Sequence, residues 1–433
     1  MKKVLVFGAA RSGCAVARLL AQQGYQVTIS DIALIPEADE LEKQGVTVFS
    51  ACHPEQLKVT NWDFVVKNPG INYHHPFIQA FSDQHIPIFN ETEIALWYSD
   101  FTIAAVSGTN GKTTTTTLLG EILKLQYENS YTAGNIGLPL SAIVSQGNTQ
   151  GYVALEISAQ QLLATPSFKP KCAVIMNLSP DHLDYFADLA GYYQAKMLIC
   201  DNMKETDYFL LNLDDETILQ NMPDTAAKII TFSLEKPADV YRQGEQIRIG
   251  DQLLFEVSDL KIPGEHNLQN AMVAATMAYL LKVETANIGA ALRAFKGVEH
   301  RIELVRELNG VVYYNDSKAT NAESTIICLK AFSDKPLILL AGGYDKKTGF
   351  AALAPYLKNL KRVILYGETK EEIAQYCRQA LVVDNLQEAL EAAYSQAVAG
   401  DIVVLSPACA SFDQFANFEA RGEYFKELVL NLQ

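Results

Sequence analysis

The chain has 433 residues, a formal charge of −15 and 49% hydrophobic residues. That length suits two or three domains with sizeable cores. The acidic balance, with no basic run, excludes nucleic acid as an expected partner, and no stretch of about 18 apolar residues offers a membrane span. Seven scattered cysteines (Cys14, Cys52, Cys172, Cys200, Cys328, Cys377, Cys409) with no CxxC pair read as reduced thiols of a cytoplasmic protein. The apolar run Val4–Ala10 meets Arg11 too early for a signal peptide.

The first ~90 residues alternate β-rich runs with helical stretches. Strands are expected at Val4–Phe7, Val27–Ser30, Val46–Phe49 and Phe64–Val66, with a helix near Ala15–Gln23 and a turn at Pro69-Gly70. A second region opens near Glu93. Strand Thr102–Val106 ends in a glycine-rich turn, and a helix follows over 112–124. Val153–Leu155, Ala173–Met176, Tyr208–Leu211 and Ile229–Phe232 read as further strands. Ile247–Ile249 and Leu253–Val257 flank Gly250-Asp251 as a hairpin, and Asn267–Leu281 reads as a helix. The third region carries strands at Val311–Tyr314, Leu337–Leu340, Val363–Tyr366 and Ile402–Leu405. The pattern predicts three consecutive α/β domains, residues 1–92, 93–297 and 298–433. The first and last are Rossmann-like, and the central one is a parallel sheet of the P-loop ATPase type. No long linker separates them, so packing around a shared cleft is expected.

Ser107-Gly108-Thr109-Asn110-Gly111-Lys112-Thr113-Thr114 is the most specific local signal. Backbone N–H groups of such a turn form an anion cradle, and the following helix start adds positive potential. Lys112 is placed to meet the β/γ-phosphates and Thr113 to ligate Mg²⁺. The strict GxxxxGK[ST] spacing fails, since its first glycine falls on Val106. The plainer alternative is a glycine turn before a helix. Gly8-Ala9-Ala10-Arg11-Ser12-Gly13 also follows a strand, with Asp31 ending the next one at a ribose-binding position. Ala10 stands where a glycine lets backbone approach a pyrophosphate, which makes a redox dinucleotide the weaker reading.

Glu156 ends a buried strand, where ligands gather in open parallel sheets, and is a natural Mg²⁺ ligand or else a surface acid. Asn177–Asp184 follows another strand, and its His182 suits a metal or a phosphate. Lys196 by itself reads as a solvated helix lysine. Asn315–Asn321 brings a carboxylate, an ammonium and hydroxyls to a strand-to-helix junction that can bind phosphate or carboxylate. Ser406–Asp413 reads as a substrate loop, and Cys409 has no base beside it.

Taken together and in this order, Gly108–Thr114, Asn135-Ile136-Gly137, Asp181–Asp184, Gly264–Asn267, His300-Arg301 and Asp316–Asn321 resemble the Mur ligase family over essentially the whole chain. Within the family, Ser406–Phe415 and Phe418–Gly422 are similar to the D-glutamate-adding member, and the DNPR motif of the diaminopimelate-adding member is missing. The resemblance implies ATP-dependent joining of D-glutamate to UDP-N-acetylmuramoyl-L-alanine through an acyl phosphate. That is a step of peptidoglycan precursor synthesis, and through it of cell-wall biogenesis, cell shape and division.

It implies metal ligation by Thr113, Glu156, His182 and a carbamylated Lys196, with two Mg²⁺ ions. ATP falls to Gly108, Thr109, Asn110, Gly111, Lys112, Thr113 and Thr114, with Asn267 and Asn270 on adenine. Arg301 and Asp316 complete the ATP site on hinge closure. Arg11, Ser12, Asp31, Gly70, Asn135 and His182 bind the UDP-substrate, and Lys318, Thr320, Lys346, Ser411 and Phe418 surround D-glutamate. Lys112, Glu156, His182 and Lys196 form the catalytic group. A monomer with only small-molecule partners is expected. Tyr185 stands where a basic residue is common, and Ala159-Gln160 where Ser-Phe is common. The competing readings are a sibling ligase with another amino acid, an NAD-dependent oxidoreductase and a nucleotide-driven switch.

Overall fold

Four residues of the first strand, Val4–Phe7, are fully buried, and they point alternately to opposite faces of a sheet. Val4 and Val6 enter one apolar cluster, Leu5 and Phe7 another. A strand covered on both faces reads as a continuous apolar run, the signature of a parallel sheet. The computed structural model describes residues 1–182, 185–344, 349–377 and 379–433. By contacts these fall into two compact units, Met1–Asp259 with Gln269–Arg293, and Leu260–Leu268 with Ala294–Gln433.

The first unit holds two sheets. Strands β1 (Lys3–Phe7), β2 (Gln26–Ser30), β3 (Thr47–Phe49), β4 (Phe64–Lys67) and β5 (Ile88–Phe89) form an all-parallel sheet in the order β3-β2-β1-β4-β5. The second sheet contains β6 (Asp100–Ser107), β7 (Ser130–Gly134), β8 (Gln150–Glu156), β9 (Cys172–Ile175), β10 (Tyr208–Asn212), β11 (Lys228–Ser233), β12 (Val240–Gln243), β13 (Gln246–Ile249) and β14 (Gln252–Glu256). Its order is β14-β13-β12-β11-β10-β9-β6-β8-β7, and only the β12-β13-β14 end is antiparallel. Gly250-Asp251 turns the expected hairpin.

The two sheets share one apolar cluster running from Val4 to Ala227, so no solvent gap parts them. Helices Arg11–Gln22, Glu91–Leu96 and Leu140–Ser145 pack together within it. The buried Glu91 carboxylate accepts the Ser141 N–H there.

The second unit carries β15 (Glu303–Leu308), β16 (Val311–Asn315), β17 (Leu337–Gly342), β18 (Arg362–Tyr366), β19 (Ala380–Val382) and β20 (Ile402–Leu405), in the order β15-β16-β20-β17-β18-β19. Only β15 runs antiparallel. Leu337, Leu339 and Val404 face one cluster while Ile338, Leu340 and Val403 face the other. All seven cysteines are free thiols, and most are buried. Among the described residues no helix is long and apolar enough to cross a membrane.

The β1 turn is tight. A Cβ on Gly13 would lie 2.0 Å from the Gly8 carbonyl oxygen, so helix and turn touch backbone to backbone. Gly13→Ala is therefore expected to cost about 2 kcal/mol through overpacking. Thermal unfolding checks this: the midpoint falls, whereas an unchanged midpoint contradicts the close approach.

Candidate active site

β6 lies inside the central sheet between β8 and β9, and its C-terminal end delivers the Gly108–Thr114 turn. Gly108 has φ 137° and its missing Cβ leaves room for Met176, while Gly111, at φ 82°, precedes helix Lys112–Lys124. Two left-handed residues in one turn require glycine or strain. Asn177 clamps the turn: its carbonyl oxygen accepts the Thr109 N–H at 3.0 Å, and its side chain exchanges hydrogen bonds with the Asn110 backbone at 2.8 and 3.1 Å. The first N–H groups of the helix have no intrahelical acceptor and carry its positive end.

Two lysines converge on this turn. Lys112 Nζ donates to the carbonyl oxygens of Gly108 and Thr109, both at 2.8 Å. Lys196 Nζ also donates to Gly108 O at 2.8 Å. The two nitrogens are thus at most about 5.6 Å apart. At an effective dielectric of about 20, two ammonium charges at that range repel by about 3 kcal/mol.

Lys196 is 2% exposed and lies 4.7 Å from the Tyr192 ring, contrary to the solvated lysine that its helix position alone suggests. Burial and then the Lys112 cation push its pKa well below the usual lysine range, against the pull of Asp181 and Glu156. Tyr192, one helical turn before Lys196, also reaches Thr109 Oγ1 at 3.3 Å. Sequence reading passed over this residue, although its spacing of four from Lys196 was the available signal.

Glu156 ends β8 and is 2% exposed. Its Oε1 accepts from Asn135 Nδ2 at 2.8 Å, while the buried Oε2 has no hydrogen-bond partner among the described residues. An orphaned carboxylate oxygen in the unit that carries the Thr113 hydroxyl fits a hard divalent cation. Thr113 is buried in the first turn of its helix. His182 has φ 53°, is about half exposed, and places Nε2 3.7 Å from Asp181 Oδ2.

Asn270 sits beside the phosphate turn: its Oδ1 accepts from Thr115 Oγ1 at 3.3 Å and would meet a Gly111 Cβ at 2.5 Å. Asn267 donates to Pro263 O at 2.6 Å.

In the N-terminal sheet a cavity of about 620 Å³ opens at the carboxyl ends of β1, β2 and β4, lined in part by Gly8, Asp31, His53, Asn68, Gly70 and Asn72. Asp31 braces the glycine turn, accepting Ala9 N–H at 2.6 Å and Ala33 N–H at 2.8 Å. Burial holds the imidazoles of His53 and His75 below the ordinary histidine range, so both are neutral at pH 7. Arg11 and Ser12 lie outside the lining: the Arg11 guanidinium donates to Gly137 O at 3.0 Å, and Ser12 Oγ accepts from Asn68 at 3.5 Å. Arg11 thereby reaches the Asn135–Gly137 turn, whose Asn135 holds Glu156. His53, Asn68 and Asn72 come from loops without a motif, which is why sequence reading passed over them.

The second unit gathers its own polar cluster. Asp316 is 4% exposed; it accepts from Ile302 N–H at 3.2 Å and Ser406 Oγ at 2.7 Å. Burial raises its carboxyl to about 7. The nearby Arg301 has a buried Nε without a hydrogen-bond partner among the described residues, and the residues on either side, His300 and Ile302, have positive φ. Lys318 Nζ lies 5.6 Å from the Phe418 ring. Arg421, fully buried, joins this cluster to the Ser411 loop by donating to Ser317 O, Cys409 O and Ala410 O at 2.8, 3.0 and 3.0 Å. Ser411 is buried in that loop, and the Thr320 N–H bonds Lys318 O. Cys409 is buried and lies 3.2 Å from Thr369 Oγ1. Lys346, Leu183 and Asp184 lie outside the described residues. Glu299, His300 and Glu423 could group around a metal, but Lys426 already neutralises the acids at 2.5 and 2.9 Å.

A strand-to-helix phosphate turn backed by a buried lysine, with an orphaned carboxylate on an adjacent strand, is the architecture of a nucleotide-using α/β enzyme. Three family profiles cover nearly all the chain: Mur ligase MurD-like, N-terminal domain over residues 2–90; Mur ligase middle domain over 106–278; and Mur ligase, glutamate ligase domain over 300–409. The chain belongs to the Mur ligase family.

It is 40% identical to the UDP-N-acetylmuramoylalanine--D-glutamate ligase of Listeria monocytogenes serovar 1/2a, over 99% of this chain and 96% of that one. The enzyme of the same name from Lactobacillus delbrueckii subsp. bulgaricus is also 40% identical, over 100% and 98%. Among solved structures, the Thermotoga maritima UDP-N-acetylmuramate-alanine ligase MurC superposes with a TM-score of 0.63 at 20% identity, covering 99% of each chain. MurF ligase from the same organism, in complex with ADP, gives 0.62 at 16%, covering 98% of each. Both share the fold.

The raised Asp316 carboxyl makes a pH prediction. In the unfolded chain it ionises near pH 4, in the folded chain only near 7. The folded state thus holds the extra proton between these values, and stability falls as pH rises through that window. Relative to wild type, Asp316→Asn should gain thermal midpoint between about pH 4 and about pH 7. A difference that stays constant across that range contradicts the buried, protonated acid.

Proposed function

We propose that this chain is an ATP-dependent carbon–nitrogen ligase that adds D-glutamate to the alanyl carboxylate of UDP-N-acetylmuramoyl-L-alanine in peptidoglycan precursor synthesis. The observation that carries this reading is the full-length likeness to the D-glutamate ligases. The likeness sets aside the oxidoreductase and switch readings. Residues 1–92 take the UDP-substrate, 93–297 ATP and 298–433 the amino acid.

A carboxylate oxygen of the alanyl group attacks the γ-phosphorus of ATP, and ADP leaves. The amine of D-glutamate then adds to the acyl-phosphate carbonyl carbon, and the tetrahedral intermediate expels phosphate and loses the amine proton. Phosphoryl transfer of this kind is mostly positioning and charge neutralisation. Lys112, resting on its own loop in this structure, has only to turn outward to meet the β/γ-phosphates. The Gly108–Thr114 N–H groups bind the same phosphates, and Asn270 beside Gly111 holds the turn's shape. Thr113, Glu156 and His182 are the residues that would hold Mg²⁺, which supplies neutralisation of developing phosphoryl charge.

Lys196, desolvated and crowded by Lys112, is an amine primed to lose its proton, the state that adds CO₂. As a carbamate it becomes an anion that relieves the repulsion from Lys112 and joins the metal ligands. Asn135, locked to Glu156, binds the UDP-substrate with Asp31, Gly70, Arg11 and Ser12. Arg301 and Asp316 contact ATP, as Asn267 does. Lys318, Thr320, Lys346, Ser411 and Phe418 receive D-glutamate, with Arg421 fixing the two loops that carry most of them. The enzyme works as a cytoplasmic monomer.

Purified protein with UDP-N-acetylmuramoyl-L-alanine, D-glutamate, ATP and Mg²⁺ should release phosphate only when both acceptor and amino acid are present, and yield the mass of the D-glutamyl product. Release driven by another amino acid contradicts the specificity; release without the UDP-sugar contradicts the ligase reading. Lys112→Ala should lower kcat at least about a hundredfold, as for other electrostatic groups aimed at transition-state charge. Lys196→Ala should be nearly inactive and partly restored by short carboxylic acids. Full activity of either variant without additive contradicts the role given to that lysine.

A further inference from the structure

Lys67 closes β4, is 1% exposed, and is used by none of the steps above. Its Nζ donates to Ile71 O at 2.7 Å, Asn68 O at 3.2 Å and Tyr185 OH at 3.1 Å. It also lies 4.7 Å from the Tyr73 ring and 5.7 Å from the Tyr185 ring. Among the described residues no carboxylate pairs with it. A buried ammonium is costly unless dipoles and π faces replace its water, and here two carbonyls, a phenol and two rings do so.

Asn68, Ile71 and Asn72 form part of the cavity wall. Tyr185 belongs to the segment that follows His182. Tyr185 OH donates to Ile71 O at 3.3 Å, and Asn72 Nδ2 donates to Tyr185 O at 3.1 Å. The wall and this segment are thus tied by three links that share Lys67 or its immediate partners.

We propose that Lys67 is a positioning residue for the UDP-bearing substrate, a role that rests on the ligase reading above: its ammonium fastens the Asn68–Ile71 wall of the nucleotide cavity to Tyr185, and so fixes the cavity relative to the segment bearing His182. Burial lowers the Lys67 pKa to about 8. The titratable groups facing it are the phenols of Tyr73 and Tyr185, both raised by burial, Tyr73 to about 12. Lys67 is therefore the member of the cage that changes charge between pH 7 and 9.

The test compares wild type, Lys67→Met and Tyr185→Phe in steady-state turnover and in calorimetric binding of UDP alone. Loss of the tie should raise KM for UDP-N-acetylmuramoyl-L-alanine about tenfold in Lys67→Met, with KM for ATP and D-glutamate within about twofold and UDP binding weakened in parallel. Tyr185→Phe should move the same KM in the same direction by less, and it decides the matter alone if Lys67→Met does not fold. In wild type this KM should rise from pH 7 to pH 9, and in Lys67→Met that rise should be absent. A purely structural role predicts a lower thermal midpoint with all three KM values unchanged, which overturns the proposal, as does an identical pH trend in both proteins. Wild type that turns over while the variants match it refutes Lys67 alone. Wild type that neither turns over nor binds UDP refutes the ligase reading and this inference with it.

Discussion

One carbonyl oxygen, that of Gly108, accepts hydrogen bonds from two lysines, and the rest of the central site follows from that crowding. Two cations share one backbone dipole, with the anionic groups of Asp181 and Glu156 acting from further off. The crowding of the two ammonium groups favours the neutral form of Lys196. In the proposed reaction the neutral amine of Lys196 is the form that would add CO₂, and the turn is the place proposed for the polyphosphate. The same crowding explains why Lys196 is buried against Tyr192 rather than solvated.

The carriers of this site are elements with little freedom. β6 is interior to its sheet, Gly108 and Gly111 adopt left-handed backbone against Met176 and Asn270, and Asn177 clamps the turn from the end of the neighbouring strand. The glycine turn of the N-terminal sheet is joined to it by a short relay: Arg11 to Gly137, then Asn135 to Glu156. One apolar cluster lies beneath both sheets, so these links sit on a continuous core rather than across a hinge. In the second unit Arg421 has the comparable part, holding two loops through carbonyl oxygens with its charge buried.

Much of the fold was legible because buried parallel strands are short apolar runs. Val4–Phe7, Ile402–Leu405 and Leu337–Leu340 are recognisable on that ground alone. The strands that escaped sequence reading are mostly at edges: Ile88–Phe89, Ser130–Gly134, Glu303–Leu308 and Ala380–Val382 each end a sheet. Glu303–Leu308 carries a mixed, polar sequence as edge strands often do, and Ile88–Phe89 and Ala380–Val382 are apolar but only two and three residues long. Val240–Gln243 escaped because it begins a solvated hairpin extension. Of the site, the phosphate turn and Glu156 were legible from position at strand ends. The burial of Lys196, the aromatic cage of Lys67 and the clamp by Asn177 were not, because each depends on partners distant in sequence.

The proposed reaction requires activation of the substrate carboxylate by transfer of phosphate to its oxygen. The most direct measurement follows that oxygen. With both carboxylate oxygens of the alanyl group labelled with ¹⁸O, turnover with ATP and D-glutamate should place one label in the released phosphate and leave the other in the new amide. Phosphate free of label, with both heavy oxygens still on the UDP-linked material or lost to water, would contradict the acyl-phosphate route and with it the roles given to Lys112, Glu156 and Lys196.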